Sequence, residues 1–146
     1  MREENTLLFK ARALQLEAQR LLESGLLVTL KPFAPTFVHG SYALDLLLRR
    51  DLDINLRLSN DHDVETFFQV GAAITRNYPV HRASYSNHFA RGFPGFDYGL
   101  YWGIELSFEE QRWKLDMWGL GPEKFAEYQR QFESLKNALE QHDKLT

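Results

Sequence analysis

The sequence contains no cysteine among its 146 residues. Disulfide bonds, thiolate zinc sites, iron–sulfur clusters and cysteine nucleophiles are therefore excluded. A long apolar run is also missing, since no stretch approaches the roughly 18 consecutive residues that a membrane span needs. The first residues, Met1 to Glu4, are too acidic for a signal peptide. We therefore expect a cytoplasmic protein with no membrane association.

An excess of positive charge is missing as well. Lysine and arginine number 17 against 20 aspartates and glutamates, a formal net charge of −3. Binding of long nucleic acid by bulk charge is therefore not favoured. Residues 76–96 are basic and rich in aromatics, which suits base stacking and keeps nucleic acid open as a partner. A loop crossing an acidic surface explains the same stretch.

Hydrophobic spacing divides the chain into helices and strands, and 44% hydrophobic residues are enough for a real core. Helices, most of them marked by apolar spacings of three and four, are expected over residues 5–23, 42–48, 64–74 and 122–143. Strands, most of them marked by apolar–polar alternation, are expected over residues 36–39, 51–58, 80–85, 98–108 and 112–117. The rest of residues 79–97 is expected to be irregular.

This order predicts one α+β domain over residues 1–146, with a mixed β-sheet and helices packed on one face, the apolar one. An N-terminal helix within 1–25 ends near Gly25, a core spans 35–118, and a C-terminal helix covers 122–143. The two terminal helices are expected to pack on the sheet or on each other. A homodimer seam along their apolar stripes is the alternative.

Two aspartates mark a candidate metal site. Asp51 and Asp53 alternate with the apolar residues of their strand, so both side chains are expected on its polar face. Neighbouring carboxylates repel each other, and a cation between them relieves that repulsion. Oxygen ligands of this kind suit Mg²⁺ or Mn²⁺. A solvated strand face is the plainer interpretation of the same pair.

Three further residues suit phosphate chemistry beside these acids. Gly40 and Ser41 stand between a strand and a helix, where free backbone N–H groups favour phosphate. Asp116 lies on the polar face of a later strand and can join Asp51 and Asp53 if the strands share a sheet. Lys114 shares the face of Asp116, where it either neutralises phosphate or relieves the acidic cluster.

With these residues in place, the sequence resembles the polymerase-beta-like nucleotidyltransferase superfamily, in a minimal single-domain form. The resemblance rests on Gly40-Ser41, Asp51-Leu52-Asp53 and Leu115-Asp116-Met117, in that order. It implies a nucleotidyltransferase-like fold and an enzyme that moves a nucleoside monophosphate from a nucleoside triphosphate to an acceptor hydroxyl. Asp51, Asp53 and Asp116 would be catalytic and hold the metal, while Gly40, Ser41 and Lys114 would bind the nucleotide.

Two other functions fit parts of the pattern. A catalytically silent module with the same fold, acting as a partner or antitoxin subunit, fits because only one helix follows Trp118. A metal phosphodiesterase with water as acceptor fits the carboxylates but lacks a histidine-rich ligand set. Asp61 and Asp63 have the same spacing as Asp51 and Asp53, but we expect them to cap a helix. His39 is expected to be packed or hydrogen-bonded rather than a zinc ligand.

Overall fold

The structure, a computed structural model, describes residues 2–91 and 99–145. Within them the helices are α1 (Arg2–Leu21), α2 (Leu27–Leu30), α3 (Gly40–Ala43), α4 (Val64–Asn77), α5 (His88–Arg91) and α6 (Pro122–Leu145). The strands are β1 (Thr36–His39), β2 (Asp51–Arg57), β3 (Val80–Asn87), β4 (Leu100–Phe108) and β5 (Gln111–Leu120). The predicted α+β class is confirmed. None of the helices in the described ranges combines the length and apolar composition of a membrane span.

The five strands form one mixed sheet in the order β1-β2-β5-β4-β3. Strands β2 and β5 pair in parallel, and the other three neighbouring pairs are antiparallel. Glu109 and Glu110 join β4 to β5 with φ angles of 50° and 64°, the left-handed backbone of a tight two-residue hairpin turn. The last strand of the chain is thereby inserted beside β2, in the middle of the sheet.

The main core lies between one face of this sheet and helices α1 and α4. Leu52, Ile54 and Leu115 point into it and are fully buried. Trp102 of β4 is stacked on Phe67 of α4 with ring centroids 5.9 Å apart, and its Nε1 donates to the Phe67 carbonyl at 2.8 Å. The apolar residues that alternate along β2, β4 and β5 therefore face this core, as the sequence predicts.

Helices cover both faces of the sheet, so the prediction of helices on one face is wrong. Helix α6 packs on the face opposite the main core, where β1 and β2 pair. The ring of Phe37 lies 5.5 Å from that of Phe132, and the ring of His39 lies 4.8 Å from that of Tyr128. At this end the second face carries the aromatic rings of β1 beside the acids of β2, and burying those rings requires a second layer.

One predicted helix end is confirmed and another is wrong. The helical backbone of the first helix is interrupted at Gly25, whose φ of 120° is not helical, and the short helix α2 follows as a separate element. The helix expected over 42–48 is only the single turn α3. Asp45, with a φ of 58°, then reverses the chain. In the expected irregular stretch, β3 extends to Asn87, while residues 92–98 lie outside the described residues.

Candidate acidic site

Parallel pairing of β2 with β5 brings the acids of the two strands together. Asp53 is the register partner of Asp116, and Asp51 is the register partner of Lys114. All three acids line one cleft of about 350 Å³. The cleft is formed by Ser41, Leu46, Leu47, Leu48, Arg49, Asp51, Asp53 and Asp116. The expected convergence of Asp51, Asp53 and Asp116 is therefore present, together with Ser41.

Gly40 lies directly over Asp53. Its φ of 73° is left-handed, and a Cβ atom placed on it would collide with the carboxylate of Asp53. Glycine is thus required here by the close approach of the chain to an acid. The position of Gly40 between a strand and a helix predicts a phosphate site, and the contact with Asp53 is a second, structural reason for a glycine here. Ser41 follows at the first turn of α3 and is exposed to the cleft.

Asp53 is the acid whose ionisation is most strongly opposed. Partial burial raises its pKa from 3.8 to about 6, and the neighbouring charges of Asp116 and Asp51 add to that rise. Lys114 opposes the rise without cancelling it. Negative charge in the cleft is therefore only partly compensated by the protein's own residues.

Asp116 is held by two side chains on the same face. The Tyr101 hydroxyl donates to its Oδ1, and Lys114 Nζ lies 3.3 Å from the same oxygen. Burial raises the pKa of Tyr101, and the bond to Asp116 raises it further, so the phenol keeps its proton and acts as a donor. Alternation along β4 places Tyr101 on the polar face, but its bond to Asp116 is not visible in the sequence, because only the register of β4 against β5 brings the two side chains together.

Helix α1 is linked through Glu17 to the residue that precedes Asp51. Its Oε1 accepts from Arg50 Nε at 2.9 Å and from Trp113 Nε1 at 2.7 Å. Burial works to raise the pKa of Glu17, but these hydrogen bonds and the charge of Arg50 outweigh it and hold the pKa below its usual value. The loop that precedes Asp51 is therefore tied to a helix outside the predicted core of 35–118.

His39 and Asp63 behave as expected, whereas Asp61 does not cap the helix beside it. His39 is buried, with Nε2 at 2.9 Å from the Asn55 carboxamide oxygen, so it is a packed and hydrogen-bonded residue. Asp63 caps α4 by accepting from the Thr66 amide. Asp61 caps nothing on α4, and instead accepts from the Gly121 amide just before α6 at 2.8 Å.

The donor chemistry of the cleft suits a divalent cation. Asp51, Asp53 and Asp116 offer carboxylate oxygens of the kind that Mg²⁺ and Mn²⁺ prefer. Burial and then the charges of Asp116 and Asp51 raise the pKa of Asp53, so a positive charge at this point would favour its ionised form. Within residues 2–91 and 99–145, no three or more histidines, aspartates and glutamates are already arranged to coordinate a metal ion.

No protein-family model matches the sequence, and no curated protein matches it.

Proposed function

We propose that the chain is a Mg²⁺-dependent nucleotidyltransferase that moves a nucleoside monophosphate from a nucleoside triphosphate to an acceptor hydroxyl. The observation that carries the proposal is the pairing of Asp53 with Asp116 across two parallel strands, in the same cleft as Asp51 and Ser41. This set matches the residues on which the resemblance to polymerase-beta-like nucleotidyltransferases rests. A cleft of about 350 Å³ is within the size range of small-ligand sites.

Each residue has a role that its position supports. Asp51, Asp53 and Asp116 would hold a divalent cation, which would supply charge to stabilise the triphosphate and the leaving pyrophosphate. Ser41 donates its hydroxyl to a phosphate oxygen at the mouth of the cleft. Arg49, which also lines the cleft, adds the positive charge that a triphosphate attracts.

The transfer balances as an in-line displacement. The oxygen of the acceptor hydroxyl attacks the α-phosphorus and forms the new bond. The bond from that phosphorus to the bridging oxygen breaks, and pyrophosphate leaves with the electron pair. Asp116 takes the hydroxyl proton, and Tyr101, donating to the same carboxylate, keeps it oriented toward the acceptor.

One observation favours a catalytically silent module as the second candidate. Lys114 already forms an ion pair with Asp116, and the Tyr101 hydroxyl occupies the same oxygen. A third acid neutralised in this way is a structural link between β4 and β5. In that case the cleft binds neither metal nor nucleotide, and the chain works through its surface.

Thermal unfolding with Mg²⁺, with each of four nucleoside triphosphates, and with both together separates the two candidates. A ligand at about 100 times its Kd adds about 2.7 kcal/mol, on the order of 5–10 °C in Tm. The transferase predicts such a shift only when metal and one triphosphate are present together. Triphosphate labelled at the α-phosphate then reports transfer to an acceptor.

Asp53→Asn and Asp45→Asn form the matched pair for this assay. Asp45 is exposed and lies outside the residues that line the cleft. Asparagine also tolerates its left-handed backbone. The joint shift is expected to vanish in Asp53→Asn and to persist in Asp45→Asn. No joint shift in the unmodified protein with any triphosphate would favour the silent module.

A further inference from the structure

A second polar cleft lies beside the acids on the same face of the sheet. It has a volume of about 230 Å³ and lies over β3, β4 and β5. The residues that line it are Arg82, Ser84, Tyr101, Gly103, Glu105 and Lys114. Since Tyr101 and Lys114 both contact Asp116, this second cleft begins where the acidic cleft ends.

Strand register lines up the two clefts in rows across the sheet. One row runs from Asp53 through Asp116 and Gly103 to Ser84. The absence of a side chain at Gly103 leaves room for the Tyr101 hydroxyl, which would lie 2.8 Å from a Cβ atom placed there. The Tyr101 ring therefore fills the space over Gly103, and a ligand over Ser84 lies beside the Tyr101 hydroxyl that contacts Asp116 of the first cleft.

The adjoining row alternates in charge. It runs from Asp51 through Lys114 and Glu105 to Arg82, each residue being the register partner of the next. The part of this row that lines the second cleft holds two cations and one acid. Arg82 stands at the far end, and its planar guanidinium suits two-point binding of a phosphate or carboxylate.

We propose that the second cleft binds the acceptor as a small hydroxyl compound with one anionic group, held by Arg82 and Lys114 with its hydroxyl toward Asp116. This inference rests on the proposed transferase function and names the substrate class of that site. The volume of about 230 Å³ is below the usual range for drug-sized ligands, which favours a compact acceptor. The hydroxyls of Ser84 and Tyr101 provide polar partners for the rest of the molecule.

The test uses glycerol 3-phosphate and glycerate as probes, with glycerol as the uncharged control. Amide chemical shifts of Ser84 and Gly103 are followed by NMR in buffer without metal or triphosphate. Both anionic probes are expected to shift these amides, and glycerol is not. If only one of the two anions shifts these amides, the acceptor carries that anionic group, phosphate or carboxylate, and the proposal stands for that class.

Arg82→Gln and Arg112→Gln are the matched variants. Arg112 is exposed, lies on the same face of β5 near the hairpin, and does not line the second cleft. The Kd of the anionic probe is expected to rise about tenfold or more in Arg82→Gln and to change less than about twofold in Arg112→Gln. Equal effects of the two variants would overturn the proposal, since general surface charge would then explain binding.

Other outcomes are equally decisive. If neither anion shifts Ser84 or Gly103 at high millimolar concentration, the proposal is overturned. If a uridine trinucleotide shifts them and the small anions do not, the small-acceptor class is wrong. The proposed function fails through a different result, the absence of joint stabilisation by Mg²⁺ and triphosphate. Since the two assays share no ligand, either one can fail while the other succeeds.

Discussion

Asp53 and Asp116 are register partners on the parallel strands β2 and β5. Each belongs to the polar set of its strand, so the two carboxylates share one face of the sheet. Asp51, two residues before Asp53, adds a third negative charge to the same cleft. The electrostatics of this cleft lead to predictions that need no knowledge of the substrate.

The first prediction is a pH-dependent gain in stability for Asp53→Asn in metal-free buffer. Below pH 3.8 the carboxyl is protonated in both folded and unfolded chains, so it adds no penalty. The penalty grows as the pH rises and is complete above the folded pKa of about 6. The gap between the two pKa values corresponds at most to on the order of 3 kcal/mol, and solvent screening at this partly exposed side chain lowers the penalty to about 1–2 kcal/mol. Urea unfolding at pH 4 and pH 8 measures the difference.

We therefore expect Asp53→Asn to exceed the unmodified protein in free energy of unfolding at pH 8 and to exceed it by far less at pH 4, where the folded-state carboxyl is protonated. The control Asp45→Asn is expected to show no such pH dependence, since its side chain is exposed. Mg²⁺ and triphosphate together are expected to stabilise the unmodified protein and not the Asp53→Asn variant. A variant that is less stable at pH 8 would show that Asp53 is not under charge repulsion.

The second prediction separates metal binding from proton transfer. Asp116→Asn is expected to keep most triphosphate binding, because Asp51 and Asp53 remain as the close pair. Its kcat is expected to fall about 100-fold or more, the usual range for loss of a proton acceptor. Isothermal calorimetry with Mg²⁺ and triphosphate, beside a turnover assay, measures the two quantities. Loss of triphosphate binding equal to that of Asp53→Asn would contradict this division of roles.

The third prediction concerns the Glu17 anchor. Glu17→Gln removes the charge that pairs with Arg50, and we expect a loss of about 1–3 kcal/mol in the free energy of unfolding. The pKa of Glu17 is lowered, so the ionised carboxylate stabilises the fold above its unfolded pKa. The difference between variant and unmodified protein is expected to shrink as the pH falls below 4.5.

Glu4→Gln is the control for this anchor, because Glu4 lies on the exposed first turn of the same helix. A double-mutant cycle with Arg50→Gln isolates the pair from the packing of the two side chains. Additive effects of Glu17→Gln and Arg50→Gln would mean that the ion pair at 2.9 Å does not contribute to stability.

The fourth prediction concerns the turn over Asp53. Gly40→Ala is expected to cost about 2 kcal/mol or more, because the left-handed backbone and the collision with Asp53 both oppose a side chain. A bulkier residue such as valine disturbs Asp53 directly, so it cannot separate a phosphate cradle from a structural turn. Circular dichroism on heating measures the loss, and an unchanged Tm would rule out the close approach.

Ser41→Ala tests the proposed hydrogen bond to phosphate without disturbing the turn at Gly40. Its stability is expected to stay within about 0.5 kcal/mol of the unmodified protein. Its affinity for Mg²⁺ and triphosphate is expected to fall about tenfold through loss of one hydrogen bond to a charged group. Ser134→Ala, on the exposed part of α6, serves as control. Unchanged affinity in Ser41→Ala would remove Ser41 from the proposed nucleotide contacts.

Strands with one buried face were predictable from the sequence, and the edge strand was only partly so. In β4 and β5 every second residue faces the core, so the alternation of Trp102, Ile104 and Leu106 is visible in the sequence. Strand β3 is largely exposed and pairs with β4 alone, so its order depends on backbone hydrogen bonds rather than on apolar spacing. The sequence predicted it to only residue 85.

The three acids could be predicted to converge because the face of a strand on which a residue lies follows from the local sequence. The contacts around the acids could not be predicted in this way. Tyr101 reaches Asp116 because of the register between two strands, and Glu17 meets Arg50 because of how a helix crosses the sheet. The leucines of 46–48 were interpreted as a helix, yet the turn at Asp45 leaves Leu46 and Leu48 exposed and buries Leu47.

Because β5 is inserted beside β2, the acidic cleft can form only after these two strands have paired. Strands β3, β4 and β5 form a continuous antiparallel meander, and β1 and β2 pair separately. The acids meet only along the seam where these two units dock. During synthesis a chain that has not reached β5 has Asp51 and Asp53 but lacks Asp116 and the strand that pairs with the other side of β2. Opening of this single seam would separate Asp53 from Asp116 without breaking either unit.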